Sequence, residues 1–148
     1  MFFRKSESQK NYAKLKKTYY NLFNEAIKHG HDYIHITNPT VEQEKIFRGF
    51  GKTTLITELA IKHHLIIFYK YESTRQAILR SAEFLKKSPP ILKKISNIET
   101  FYRGNWFDEI VLIDEDISVD VVETIKKDCL NLTLIGFSRI DKNKQINK

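Results

Sequence analysis

The residues best suited to chemistry in this 148-residue chain begin with a glycine-rich segment at 48–54, which reads RGFGKTT. Glycines let successive backbone N–H groups turn toward an anion, and a helix N-terminus adds the positive end of its dipole. Lys52 can reach the outer phosphates of a nucleotide, and the Thr53 hydroxyl can hold magnesium. The segment therefore predicts a phosphate-binding loop followed by a helix. The expected ligand-binding residues are Arg48, Gly49, Phe50, Gly51, Lys52, Thr53 and Thr54.

This loop departs at one place from the pattern G-x-x-x-x-G-K-[ST]. Ile46 stands where the first glycine would be. Taken by itself, the segment also fits a simpler interpretation, in which a lysine follows a glycine turn at the start of a helix and binds nothing.

Two carboxylates supply the second half of the pattern. The apolar strand predicted at Glu109–Ile113 is followed at once by Asp114 and Glu115. In nucleotide hydrolases an aspartate at this place binds magnesium and the glutamate polarises the attacking water. Ligands bind outside the carboxyl ends of parallel strands, so both acids should lie beside the loop. Acids commonly end strands without such a role, but the order of the two motifs favours a nucleotide site.

The elements that must position these residues alternate along the chain. Hydrophobic periodicity predicts helices at 6–29, 53–64, 73–87 and 118–129 and strands at 33–37, 44–47, 65–71, 109–113 and 132–137. Gly30 should end the first helix, and Ser118 should cap the last. Alternating strands and helices, with near-continuous apolar strands, indicate an α/β three-layer sandwich around a mostly parallel sheet.

Length and composition favour one globular domain. Of the residues, 41% are hydrophobic, and Cys129 is the single cysteine, which excludes a disulfide framework and a cysteine-based zinc site. No apolar run approaches the ~20 residues of a membrane helix, and the N-terminus lacks a signal sequence. We therefore expect a cytoplasmic protein without a membrane partner, in the host cytoplasm if the chain is viral. The expected parts are a basic helix packed on the core (1–30), the core (31–141) and a flexible basic tail (142–148).

The net charge of +7 is unevenly placed. Residues 1–29 hold seven basic and two acidic side chains, and residues 62–103 hold nine and three. Such segments are compatible with DNA or RNA as a partner, and the alternative is that they are solvated faces. The basic side chains in question are Lys14, Lys16 and Lys17 in the first segment and Lys86, Lys87, Lys93 and Lys94 in the second.

Three stretches carry a family resemblance over roughly residues 40–140. RGFGKTT resembles the R-G-x-G-K-T loops of phage ATPases. YRGNWFD at 102–108, leading into EIVLIDE, resembles the R-G-x-x-F-D run before the acidic strand of that class. LIGFSR at 134–139 resembles a strand that ends in a sensor motif. The chain thus resembles the additional-strand, catalytic-glutamate class of P-loop NTPases, closest to the ATPase core of phage large terminases and superfamily 2 helicases.

The resemblance implies a RecA-like core with strand order 5-1-4-3-2 that takes ATP and Mg²⁺. It implies catalytic roles for Glu115, Lys52 and Ser138, of which Ser138 would sense the γ-phosphate. Thr53 and Asp114 would be the metal ligands. Because the chain ends soon after the sensor strand, we expect a minimal module whose trans-acting arginine comes from a partner protein or a second copy.

Three functions are consistent with these patterns. The first is an ATP-binding and ATP-hydrolysing phage-type module that acts on or with nucleic acid in DNA processing, packaging or replication. The second is a degenerate P-loop fold that serves as a binding or regulatory protein without turnover. A nucleoside or nucleotide kinase fits less well, because the sequence shows no arginine-bearing lid.

Overall fold

A computed structural model describes residues 7–30, 51–95, 109–128 and 132–138 of the chain. Its helices are α1 (Glu7–His29), α2 (Lys52–His63), α3 (Glu72–Phe84) and α4 (Val119–Asp128). Its strands are β1 (Ile66–Tyr69), β2 (Leu92–Lys94), β3 (Glu109–Ile113) and β4 (Leu132–Gly136). The predicted helices and the last three predicted strands agree with these bounds to within a few residues. The strands predicted at 33–37 and 44–47 lie outside the described residues.

The four strands form one sheet in the order β2-β1-β3-β4, and every neighbouring pair is parallel. The predicted α/β class is therefore confirmed. The described sheet holds four strands, whereas the order 5-1-4-3-2 requires five. β2 was not predicted from the sequence, which treats Lys93 and Lys94 as part of a loop. The strand has only three residues, two of them lysines, so no apolar alternation marks it.

Helices cover both faces of this sheet. Ile67, Leu112 and Ile135 face a core shared with α1, α2 and α3. Phe68 and Val111 face a second core, which is shared with α4. The three-layer arrangement follows from the handedness of the connections. The chain steps from β1 to β2 in one direction and from β3 to β4 in the other, so right-handed crossovers place α3 and α4 on opposite faces.

Because these two steps diverge, the chain leaves β1 and β3 toward opposite faces. In parallel α/β sheets, such a switch point opens a crevice outside the carboxyl ends of the two strands. The residues that follow β3 lie at this switch point.

The N-terminal helix packs on the core, as its apolar spacing predicts. Phe23 is fully buried, and its ring lies 4.8 Å from that of Phe137, just beyond β4, in an edge-to-face arrangement. Asn24 Oδ1 lies 2.8 Å from Nε2 of His63 at the end of α2. Gly30 follows α1 with φ 71°, the left-handed conformation expected of a helix-ending glycine. The lysines of α1 stay exposed: Lys10, Lys14, Lys16, Lys17 and Lys28.

The last helix begins as predicted. The Val121 backbone N–H donates to Ser118 Oγ at 3.4 Å, so Ser118 caps α4. Among the described helices, none combines the length and the apolar character needed to cross a bilayer.

Gly136 generates the first prediction. It has φ 152°, and a Cβ at this position would lie 2.0 Å from the carbonyl oxygen of Ile113 on β3. We expect Gly136→Ala to lower the free energy of unfolding by about 3 kcal/mol, because backbone atoms must move apart. Urea unfolding measures this loss. Gly30→Ala is the control, since its Cβ would meet nothing within 4 Å and only the left-handed strain remains, about 1 kcal/mol. Equal losses in both variants would contradict the close approach of β3 and β4.

Candidate functional site

The candidate site lies where the N-terminus of α2 meets the carboxyl end of β3. Gly51 precedes α2 in the left-handed conformation (φ 78°, ψ 46°), which favours glycine. Its carbonyl accepts from the Leu55 N–H at 2.9 Å, which closes the first turn of the helix. Gly51 brings no side chain to cap this end, an arrangement that suits an anion at the first N–H groups.

Lys52 is the buried cation of the site. Only 5% of the residue is exposed, and Nζ contacts Oε2 of Glu115, whose side chain is 29% exposed. The same Nζ lies 5.9 Å from the centre of the Phe137 ring. A buried ammonium group requires a counter-charge, and Glu115 supplies it.

A second contact, between Thr53 and Asp114, lies beside the Lys52–Glu115 contact. Thr53 Oγ1 donates to Asp114 Oδ2 at 2.6 Å, and the Glu115 N–H donates to Asp114 Oδ1 at 2.8 Å. Asp114 is 2% exposed. Burial raises the pKa of the Asp114 carboxyl above its ordinary value of 3.8, and these two hydrogen bonds act against that shift.

The next acid has a different role. Asp116 Oδ2 accepts from the backbone N–H groups of Lys70 at 2.9 Å and Tyr71 at 3.2 Å. It thereby joins the end of β1 to the end of β3 at the switch point. The sequence reasoning missed this residue. Its signal is the third acid of the run Asp-Glu-Asp, placed where two neighbouring parallel strands end.

Ser138 lies at the same edge of the sheet. Ile113 and Gly136 are register partners, and the Phe137 N–H donates to the Ile113 carbonyl at 3.3 Å. Ser138 is fully buried, and its Oγ has no hydrogen-bond partner among the described residues. A buried hydroxyl without a partner is costly, so it is a reason to look for a ligand.

The structure brings together most of the predicted site residues that it describes. Lys52 contacts Glu115 across 63 residues of sequence, and Thr53 contacts Asp114 across 61. Thr54 differs, because its hydroxyl lies 3.2 Å from Ser81 Oγ on α3 and so links two helices. The predicted residues Arg48, Gly49 and Phe50 lie outside the described part of the chain.

Phe137 is the other residue that sequence reasoning passed over. It contacts the rings of α1 and also lies beside the Lys52 ammonium. Its only sequence signal is its position next to Ser138 at the end of an apolar strand.

The oxygen groups of the site fit magnesium. Mg²⁺ keeps several waters and is usually held by one or two carboxylates together with substrate phosphates. Thr53 and Asp114 provide a hydroxyl and a carboxylate that already share a hydrogen bond. No cluster of three or more His, Cys, Asp or Glu side chains suited to a metal occurs within the described ranges. Thr53 and Asp114 are therefore the residues that would hold a hydrated ion together with substrate phosphates.

Comparison with known proteins found no matching family model and no significantly similar curated protein or solved structure.

Asp114 generates the second prediction. Since the folded state raises its pKa, its carboxylate lowers stability as the pH rises above the ordinary value, and the cost is complete above the raised value. Asp114→Asn removes this charge, and the Thr53 hydroxyl can accept from the new amide. We expect the variant to gain stability over the wild type as the pH rises from about 4 to about 8 in urea unfolding. Glu123→Gln, at an exposed position of α4, should show no such trend. A gain that does not change with pH would contradict the assignment.

Proposed function

We propose that this chain binds a nucleoside triphosphate with magnesium at the N-terminus of α2 and hydrolyses it, as a P-loop NTPase module. One observation carries the proposal: the Lys52–Glu115 and Thr53–Asp114 contacts lie side by side. A lysine and a hydroxyl residue that begin a helix face an aspartate and a glutamate that end a buried parallel strand. Phosphoryl transfer depends on such positioning and on charge stabilisation, and little covalent chemistry is required of the protein.

Each side chain has a distinct role in this proposal. Thr53 and Asp114 would hold Mg²⁺, which when bound neutralises charge on the phosphates. Lys52 would bind the outer phosphates, and Glu115 would orient the attacking water and accept its proton. The Ser138 hydroxyl, which has no partner among the described residues, would donate to the γ-phosphate.

The strand order supports a RecA-like core as part of the proposal. In the order 5-1-4-3-2, the strand after the phosphate-loop helix, the acidic strand and the following strand are neighbours. If β1, β3 and β4 are these three strands, their adjacency in the observed sheet agrees with that order. β2 is then an additional strand beside β1. The strand that should precede the loop, predicted at 44–47, lies outside the described residues.

In this proposal a phosphate group would compete with the Glu115 carboxylate for the Lys52 ammonium group, because both are anions, and would weaken or displace the Lys52–Glu115 contact. Release of Glu115 then leaves its carboxylate available to orient water. Nucleotide binding would thus also free the carboxylate that serves as the hydrolytic base.

The same contact supports a second candidate, a nucleotide-binding or regulatory protein without turnover. If Glu115 stays with Lys52 while nucleotide is bound elsewhere in the loop, no base is available for water. Measured phosphate release separates the two candidates. In the first, a trans-acting arginine from a second copy or a partner protein completes the site, and nucleic acid is the proposed object of the activity.

Lys52 carries the third prediction. Lys52→Ala should abolish stabilisation by magnesium-ATP, because the buried ammonium group that binds the outer phosphates is gone. For the wild type, ligand at 100 times its dissociation constant should stabilise by about 2.7 kcal/mol. Thermal unfolding with and without magnesium-ATP measures the stabilisation of the wild type and of the variant. Circular dichroism shows whether the variant is folded. Lys127→Ala, at an exposed position of α4, should keep the full shift. A shift that persists in Lys52→Ala would overturn the site.

Glu115 carries the fourth prediction. Glu115→Gln should bind ATP about fivefold more tightly, because the neutral amide competes less well for Lys52 and a partly exposed ion pair is worth about 1 kcal/mol. It should also lose hydrolysis by about a hundredfold or more. Titration calorimetry and phosphate-release assays measure the two effects, and Glu123→Gln should change neither. Unchanged affinity would show that Glu115 does not compete with phosphate. If the wild type binds ATP tightly but releases no phosphate, with or without added DNA, the candidate without turnover is favoured.

A further inference from the structure

A second site is suggested by an open cavity of about 430 Å³ at the other end of the sheet. Residues 60–61 and 64–65, at the end of α2, form one wall, and residues 87–91 form the other. Leu65 immediately precedes β1, and Ile91 immediately precedes β2. The cavity therefore lies at the amino ends of the strands, whereas Asp114 and Glu115 follow a carboxyl end. Its size is within the usual range of ligand pockets, and its walls are mainly apolar.

Two basic residues beside this cavity have an unfavourable backbone conformation. His64 and Lys86 both have φ 56°, and within the described ranges they are the non-glycine residues with positive φ. Each follows a helix that ends in a six-residue hydrogen-bonded turn: Leu65 N–H to Ala60 at 2.9 Å, and Lys87 N–H to Ala82 at 3.1 Å. Glycine is the residue that suits this position. A side chain at positive φ costs stability, and strain of this kind is found preferentially at functional sites.

Favourable interaction of cations with helix C-termini is the competing explanation. At α2 this effect is already provided by Lys62 and His63 in the last turn. At α3 the last turn contains no basic residue, and Lys86 and Lys87 follow it. The dipole explains why a positive charge lies near each end. It does not explain why the charge occupies the one position where the backbone conformation penalises it.

The surroundings are predominantly cationic. Burial lowers the pKa of His63, and the positive charges of Lys62, Lys28 and His64 lower it further. Glu25, on the neighbouring helix, pairs with His29 at 3.2 Å. Glu83, near the end of α3, lies three residues before Lys86 in the sequence. Beside it Phe84 is 80% exposed, and Ile91 in the cavity wall is 64% exposed.

We propose that this cavity and its basic rim bind single-stranded nucleic acid. A base would enter between the apolar walls, near Pro89 and Ile91, and phosphates would contact Lys86 and Lys87. Phe84 would stack on a neighbouring base. Non-specific single-strand binding combines cationic side chains with exposed aromatic ones, and both lie here within four residues. An acidic peptide would use the cations but would give no reason for the apolar cavity or for the exposed ring. This site is independent of the proposed nucleotide site.

The first test uses a fluorescently labelled oligo(dT) at low salt and measures its anisotropy. Lys86→Gln with Lys87→Gln should weaken binding about tenfold and lower the slope of log Kd against log salt concentration by about 1.4, for two phosphate contacts. The control is Lys16→Gln with Lys17→Gln, an exposed lysine pair on α1 that removes the same charge. It should change Kd less than twofold. Equal losses in the two double variants would mean that only the overall charge attracts the oligomer, and would overturn the proposal.

The second test separates bases from phosphates. An abasic oligomer of the same length should bind several-fold more weakly than oligo(dT), and Phe84→Ala should reduce this preference without changing the salt slope. Equal affinity for both oligomers would overturn the proposal. So would displacement of oligo(dT) by polyglutamate at equal charge concentration, which would indicate an acidic protein segment as the partner.

The third test uses the backbone strain. Lys86→Gly should raise Tm by about 2–4 °C and at the same time weaken binding of oligo(dT). A variant that is more stable and binds equally well would assign Lys86 no role in binding. Lys52→Ala should bind oligo(dT) like the wild type, so failure of the nucleotide site and failure of this site give different results.

Discussion

The contact between Lys52 and Glu115 is the constraint on which the arrangement of the site depends. The ammonium group of a lysine that is 5% exposed requires an anion, and the anion must come from an element that reaches the start of α2. That element is the end of β3. The requirement fixes the start of α2 at the carboxyl edge of the sheet, and Leu55, Ile56 and Leu59 then pack into the core with Leu112. The counter-charge that Lys52 requires and the packing of α2 on the sheet thus depend on the same placement of the helix.

Much of this arrangement could be predicted from local sequence patterns. Glu109–Ile113 has the predicted bounds because a continuous apolar run ends abruptly in acids. The two acids after β3 could be expected to lie beside the start of α2, because ligand-binding residues gather outside the carboxyl ends of parallel strands. The roles of Asp116 and Phe137 could not be predicted, since they depend on which strands adjoin. Asp116 acts on the end of β1, and Phe137 lies between α1 and Lys52. β2 escaped prediction because its pairing with β1 is set by a neighbour and not by its own three residues.

Phe137 gives the N-terminal helix a connection to the site. Its ring lies 5.4 Å from that of Tyr19 and 4.8 Å from that of Phe23, and Lys52 Nζ lies over the same ring. The basic helix therefore contributes to the wall behind Lys52. Phe137 is followed directly by Ser138, so a single aromatic side chain connects α1 with two residues of the candidate site.

Several locally unfavourable features of the fold lie at a proposed site. Burial disfavours ionisation of the Asp114 carboxyl, Asp116 Oδ1 and the Ser138 hydroxyl are buried without a hydrogen-bond partner among the described residues, and His64 and Lys86 have left-handed backbones. At other positions the local preferences agree with the fold, as in the cap at Ser118 and the glycine after α1. Sequences specify a structure by such agreement, and departures from it are expected where function competes with stability. A substitution that stabilises the ligand-free protein at Asp114 or Lys86 should therefore weaken ligand binding. A stabilising substitution at a purely structural residue would leave ligand binding unchanged.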